Sequence, residues 1–312
     1  MSTEPGVYPM VPQSRLSMGT SGLSEDGVVL SPAARANQRQ NGPRFDEVNI
    51  EFPIANGVAN VETMLIYPIN PFEPSNPLAR STNRLAVLLH PWGRMGGHYH
   101  DPVLMSLVTT FLRRDFHILS YNSRGVGHSG GSSSLTGLAE AEDLRTLVDH
   151  ALQQIPSVVE IVLLGYSFGC LPVSLHPPRL NFSMDRPYIS PDLVIRHVLL
   201  SYPVGVLWAL TFFHSDRYTK AVLDLLSSPY ADVLVLYGDT DQFTKISKYD
   251  AWVSKLRQAA GGDTPGEASS PPRGRLTTQV FHDTDHFWDG GQKREMWGFL
   301  AIWLDQGPTS TQ

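Results

Sequence analysis

The stretch that decides the fold is Val158-Val159-Glu160-Ile161-Val162-Leu163-Leu164, followed at once by Gly165-Tyr166-Ser167-Phe168-Gly169 and then Cys170-Leu171-Pro172-Val173-Ser174-Leu175. Apart from Glu160 the first part is an apolar, β-branched run of the kind that fills a buried strand. Phe168–Leu175 reads as a short, mostly apolar helix. A strand, a tight turn and a helix in that order lift the central hydroxyl above a sheet edge and turn backbone N–H groups toward the same point. Pro172 is compatible with this reading, because the first turn of a helix has no internal partner for its N–H groups.

The pattern Gly-x-Ser-x-Gly occurs twice, the second time as Gly127-His128-Ser129-Gly130-Gly131. Context separates the two. Asn122–Gly125 stand between Ser129 and its strand, and Gly131–Ser134 follow it, so that copy reads as a loop and Ser167 is the expected nucleophile. Gly125-Val126-Gly127-His128-Ser129-Gly130 also has dinucleotide-loop spacing, with Asp149 as the downstream acid. That motif needs a helix to begin at the turn and meet a pyrophosphate. Here the next helix begins too late, which argues against a nucleotide.

Outward from this core the chain alternates. Val48–Phe52 and Val61–Tyr67 read as a hairpin with Asn56-Gly57 between them. Leu85–Leu89, Phe116–Tyr121, Val194–Leu200, Val233–Tyr237 and Leu276–His282 read as strands. Asp101–Arg114, Leu138–Gln153, Tyr218–Leu226, Tyr249–Ala259 and Glu295–Leu304 read as helices, the first opened by Asp101-Pro102. A hairpin followed by repeated strand–helix units predicts an α/β fold: a mostly parallel, twisted sheet with helices on both faces. Residues 1–43 mix Pro, Ser, Gly, Gln and Asn without a period and are expected to be a disordered tail; 44–306 form the folded domain, with 260–275 a flexible loop.

Composition narrows the function. The 312 residues carry 41% hydrophobic and 17% charged side chains and a formal net charge of −6, enough for a large core and unsuited to nucleic acid as the main partner. The single cysteine, Cys170, excludes an intrachain disulfide and a multi-cysteine zinc site. No cationic cluster precedes an apolar stretch at the start, so a secretory leader is not expected and a cytoplasmic setting is. His197–Ser215 lacks Asp, Glu, Lys and Arg but contains Pro203 and Gly205, and reads as a strand plus a pocket wall rather than a stable membrane span. His98 and His100 alternate beside Asp101, whose place at a helix start leaves metal binding poorly supported.

A serine alcohol needs a base to take its proton and an acid to orient that base. In a strand–helix architecture these should follow the serine in the order acid, then histidine, each on a loop after a strand. Val233–Tyr237 ends in Gly238-Asp239-Thr240-Asp241, and Leu276–His282 ends in Asp283-Thr284-Asp285-His286-Phe287. Asp239 and Asp241 are both open as the acid, and His282 and His286 as the base.

Four stretches, taken in order, resemble the α/β-hydrolase superfamily, in its compact, lid-poor branch of dienelactone-hydrolase-like and serine-aminopeptidase-like esterases. They are His90-Pro91-Trp92-Gly93, Asn122–Ser129, Gly165–Gly169, and Gly238–Asp241 with Asp285–Phe287. The resemblance runs from about Phe45 to Leu304. It implies Asp241 as the triad acid, His286 as the base and a structural role for the loop around Ser129. It also implies two oxyanion donors: the N–H of Phe168 and one from the loop after Leu85–His90. Pro91 stands where many relatives have glycine and has no N–H, so Trp92 is expected to donate, with Gly93 as the alternative, and His90 is expected to hold the loop.

The expected activity is therefore that of a serine hydrolase, most simply a carboxylesterase, acting on a small acyl substrate with no metal or organic cofactor. Trp92, Tyr166, Phe243, Phe287 and Trp288 are candidates for an aromatic pocket, and Val204–Phe213 for an acyl-chain wall. Arg124 is expected to tie down its glycine-rich loop. A non-catalytic binding protein on the same fold, or an acyltransferase or lyase, is the alternative. The sequence leaves the oligomeric state open.

Overall fold

Alternation inside the apolar runs sets the architecture. Along β3 (Asn83–Leu89), Leu85, Val87 and Leu89 enter the core on one face of the sheet, and Ala86 and Leu88 the core on the other. β5 (Val158–Tyr166) divides in the same way, with Ile161 and Leu163 against Val162, Leu164 and Tyr166. Runs without polar alternation are what a sheet covered on both faces requires.

The computed structural model describes residues 43, 45–53, 59–68, 82–261 and 273–307. All but the last residue of the tail expected at 1–43, the Asn56-Gly57 turn, most of the Pro-rich stretch after Pro68 and the centre of the 260–275 loop lie outside these residues. The described strands form one eight-stranded sheet. They are β1 (Phe45–Pro53), β2 (Asn60–Pro68), β3, β4 (Phe116–Tyr121), β5, β6 (Val194–Leu200), β7 (Asp232–Gly238) and β8 (Arg275–Phe281), in the order β1-β2-β4-β3-β5-β6-β7-β8. β1 and β2 pair antiparallel, as the hairpin reading expects, with Phe45 opposite Pro68 and Pro53 opposite Asn60. β2 is antiparallel to β4, and every pair from β4 to β8 is parallel.

Helix α1 (Pro102–Leu112) and the last helix, Lys293–Asp305, cover one face, burying Leu104, Leu107, Phe111, Leu300 and Trp303. Helices α2 (Leu138–Gln154), α3 (Cys170–Ser174), α5 (Ser215–Ser227) and α6 (Ile246–Ala259) cover the other, and a four-residue α4 (Leu207–Leu210) stands before α5. Lys293–Asp305 is α7. Asp101 caps α1 as expected, its carboxylate accepting from Val103 N at 2.8 Å and Leu104 N at 3.4 Å. His197–Ser215 is the end of β6, α4 and the turn into α5. No helix among the described residues is long and apolar enough to cross a membrane.

One cluster went unread in the sequence. Arg196, inside the apolar run of β6, is fully buried at the amino ends of the strands. Its guanidinium meets Asp232 at 2.8 Å and Glu160 at 3.1 Å, donates to the carbonyl of Trp303 at 2.7 Å, and lies 3.7 Å over the Trp303 ring. Arg84 pairs with Glu160, and Arg275 with Asp232, so the chain of charges crosses from β3 to β8. The ladder fixes it, since Arg84 faces Glu160 and Asp232 faces Arg275 in register. The signal in the sequence was a lone charge inside an otherwise apolar strand.

Candidate active site

The turn after β5 is built around two glycines that nothing larger could replace. A Cβ at Gly165 would lie 2.3 Å from the Gly169 carbonyl oxygen, and one at Gly169 would lie 2.3 Å from that of Leu89. Ser167 between them sits at φ +54°, left-handed backbone that L side chains seldom adopt. The turn is 3-10 over Ser167–Gly169 and becomes α3 at Cys170, so the expected helix begins tighter than an α-helix. Cys170 completes the turn: its thiol donates to the Gly165 and Leu200 carbonyls at 3.0 and 3.3 Å. Burial pushes that thiol well above its usual range, so it is a packing group and not a nucleophile.

The structure brings Ser167, His286 and Asp241 together. His286 Nε2 lies 2.9 Å from Ser167 Oγ, and His286 Nδ1 lies 2.7 Å from Asp241 Oδ2. A carboxylate only accepts, so Nδ1 carries the proton and the Nε2 lone pair faces the serine hydroxyl. All three side chains are buried. Asp241 Oδ1 also accepts from Phe243 N at 2.7 Å and Thr244 N at 2.8 Å, and Oδ2 from Tyr249 OH at 3.1 Å. Burial and the adjacent Asp241 hold the Tyr249 phenol well above its usual range, so it serves as donor. His286 is fixed at its backbone as well. Its N–H donates to Gln242 Oε1 at 2.9 Å, and its carbonyl accepts from Tyr166 OH at 2.8 Å. Tyr249, Gln242 and the Tyr166 hydroxyl were not read from the sequence. Their roles depend on which helix face or loop turn meets the site, and no local motif carries that.

The rival acid and rival base pair with each other instead. Asp239 Oδ2 lies 2.9 Å from His282 Nδ1, and the His282 side chain is 84% exposed. It is on the loop side of the strand end, not in the sheet as expected of it. No serine belongs to that pair. Ser129 is likewise consumed: its hydroxyl donates to the Asn122 carbonyl at 2.7 Å and accepts from Glu62 N at 2.9 Å. The glycine-rich loop around it closes on itself through Gly125 N to Gly130 O at 3.0 Å. The Glu62 carboxylate takes the His128 N–H at 3.1 Å, where a phosphate would need donors free.

The loop after β3 runs alongside the nucleophile turn, as the close approach of Leu89 and His90 to Gly169 requires. His90 pins it. Nε2 accepts from Ser123 N at 2.9 Å, so Nδ1 carries the proton and donates to the Pro91 carbonyl at 2.5 Å. Burial lowers the His90 pKa to about 4, which keeps the ring neutral. Trp92 opens a 3-10 turn, Gly93–Met95, and its carbonyl accepts from Met95 N and Gly97 N. Arg124 grips Asp143 on α2 through two bonds of 2.6 and 2.5 Å, tying down its loop.

Aromatic rings surround His286. Tyr166 stacks at 5.7 Å between centroids, and Phe243 and Phe287 meet it edge-on at 4.6 and 5.6 Å. Trp288 departs from the expected pocket. It is buried in the core, donates to Ser201 Oγ at 3.0 Å and packs on Phe281. Of Val204–Phe213, Val206 and Leu210 are half-buried, while Trp208, Phe212 and Phe213 point to solvent. A wall along this segment would therefore be narrow. Between β6 and β7 stand only α4 and α5, with no separate cap domain among the described residues.

Residues 86–306 match the model of the alpha/beta hydrolase family. A segment of 116 residues is 27% identical to a Rickettsia prowazekii protein known only as uncharacterised, covering 36% of this chain and 47% of that one. The chain thus spans about half the length of the curated relative it matches. Among solved structures, a Xanthomonas campestris α/β serine hydrolase described as lacking a lid superposes with a TM-score of 0.59 at 18% identity, over 86% of this chain and 97% of that one. The ferulic acid-bound Est1E of Butyrivibrio proteoclasticus gives 0.58 at 17% identity, over 82% and 98%. The Pyrococcus furiosus esterase Pf2001 gives 0.55 at 16%, over 84% and 93%.

Proposed function

The chain belongs to the alpha/beta hydrolase family, and on that premise we propose that it is a carboxylesterase working through an acyl-serine intermediate. Residues 44–306 are the unit we assign to catalysis. Ser167 Oγ attacks the acyl carbonyl carbon while His286 Nε2 takes the hydroxyl proton. Asp241 holds the ring in the required tautomer and stabilises the cation that forms. The oxyanion is received by the N–H groups of Phe168 and Trp92. His286 then gives its proton to the departing alkoxide oxygen as the C–O bond breaks. Water attacks the acyl-serine, leaves its proton on His286, and the acid departs as Ser167 Oγ is reprotonated.

The observation that carries this reading is the pair of contacts from His286, 2.9 Å to Ser167 and 2.7 Å to Asp241, in a buried setting. Small acyl groups fit best, because two short helices are all that stand between β6 and β7. The test is turnover of p-nitrophenyl acetate and longer esters in ¹⁸O-labelled water, with Ser167→Ala beside the native chain. Hydrolysis places one labelled oxygen in the released acid, and Ser167→Ala should lose at least about 10³-fold in kcat. Turnover without label would mean transfer or elimination. Equal turnover by the variant, or none by the native chain, would favour a binding protein on this fold.

A further inference from the structure

Six exposed large apolar side chains, Met95, Leu135, Trp208, Phe212, Phe213 and Phe287, stand on loops that leave the carboxyl ends of the strands, the same edge that carries Ser167. The loop of Leu135 closes onto the site, since a Cβ at Gly137 would come within 3.6 Å of the Phe168 ring. The densest part of this rim is α4 and the turn after it. Leu207 and Thr211 anchor it in the core, and Thr211 Oγ1 donates to the Leu207 carbonyl at 2.7 Å. The outward face carries the larger rings: Trp208, Phe212 and Phe213 are 54%, 57% and 74% exposed. Phe213 lies 5.5 Å from Trp208 and 6.0 Å from Phe212 between ring centroids, so the three form one patch. Phe212 and Phe213 are both left-handed, at φ +46° and +65°, a conformation bulky side chains rarely accept. The turn is held by Phe213 N donating to the Trp208 carbonyl at 2.8 Å.

The charges beside this patch run against the chain's net −6. Arg217 and Lys220 follow it on α5, and Lys245 and Lys248 open α6, with Lys248 Nζ 3.4 Å from the Gly205 carbonyl. The neighbouring acids are Asp216, Asp224 and Asp250, and Asp224 is paired with Lys220, which leaves Arg217, Lys245 and Lys248 as the cations beside the rings. Aromatic rings standing out between cations suit the boundary between phosphate headgroups and acyl chains. We propose that the Trp208–Phe213 segment docks the Ser167-bearing edge on the surface of an anionic phospholipid bilayer, with the rings seated among the headgroups and Arg217, Lys245 and Lys248 facing phosphate. The docking goes beyond hydrolysis and does not depend on it.

The test is co-sedimentation of the full chain with vesicles of phosphatidylcholine alone and of phosphatidylcholine mixed with phosphatidylglycerol. It is run on the native chain, on Ser167→Ala, and on a Trp208→Ser/Phe212→Ser/Phe213→Ser variant, whose exposed positions leave the core intact. The expected result is binding to the mixed vesicles that weakens with salt, survives Ser167→Ala, and falls about tenfold or more in the triple variant. A Lys245→Gln/Lys248→Gln variant should lose the salt-sensitive part of the binding. The proposal is overturned if the native chain ignores both vesicles, or if the triple variant binds as tightly as the native chain. It is also overturned if light scattering shows that the triple substitution instead converts a dimer to a monomer, which would make the patch an interface between copies.

Discussion

The two ends of the sheet use buried polar groups in opposite ways. At the amino end, Arg84, Glu160, Arg196, Asp232 and Arg275 sit on neighbouring strands; the parallel ladder sets Arg84 opposite Glu160 and Asp232 opposite Arg275, and Arg196 joins the two carboxylates. At the carboxyl end, Ser167, Asp241 and His286 sit on three loops, and the network that aligns them is made of side chains and loop amides. Burial of charge is common to both ends. The difference is that strand-borne groups close on each other, whereas loop-borne groups hold a hydroxyl against a base. The amino end belongs to stability and the carboxyl end to the proposed chemistry.

The sharpest way to break this division is at the paired aspartates. Asp241→Asn should lower kcat by about 10⁴, because the amide no longer selects the tautomer, whereas Asp239→Asn should cost under about twofold, since its partner His282 is exposed. Similar losses in ester turnover from both variants would contradict the assignment. Next in size is the amino end. Arg196→Met leaves Glu160 and Asp232 short of a buried partner and should cost about 3–5 kcal/mol of unfolding free energy in urea, with kcat of the folded fraction unchanged. A drop in kcat without loss of stability would erase the distinction.

Acid should act through three buried histidines. Burial lowers the pKa of His90 and of His197 to about 4, and of His176 to about 3; the like charge of His197 lowers His176 further. Unfolded, each titrates near the ordinary value of about 6.5, so the unfolded chain binds more protons as pH falls below that value. Stability should be flat above about pH 7 and decline toward pH 4, by about 2 kcal/mol per histidine between pH 7.5 and 5. Urea titrations across that range check it, and a flat profile down to pH 5 would sink it. The smallest effect belongs to the second Gly-x-Ser-x-Gly copy. Ser129→Ala removes two hydrogen bonds and should cost about 1 kcal/mol while leaving ester turnover unchanged.

Much of the fold was legible because long apolar runs and their spacing carry it. The strand before Ser167, the cap at Asp101 and the loops ending β7 and β8 are all local signals. For the candidate site, order and strand-end position narrowed the acid to Asp239 or Asp241 and the base to His282 or His286, and the family resemblance chose between them. What could not be read is what packing decides. Tyr249 reaches Asp241 only because α6 lies where it does, and Gln242 bridges two loops far apart in sequence. Trp288 is next to Phe287 in sequence, yet one ring is buried and the other exposed. Arg196 was hidden in the opposite sense: its charge was visible, but its partners come from two other strands and a helix end.

The central claim is that Ser167 is an activated nucleophile and Ser129 is not. Treatment of the purified chain with a fluorophosphonate, followed by peptide mass mapping, tests it without knowledge of the substrate. The account predicts one adduct, on Ser167, absent from Ser167→Ala and retained in Ser129→Ala. An unlabelled chain, or an adduct on Ser129, would contradict it.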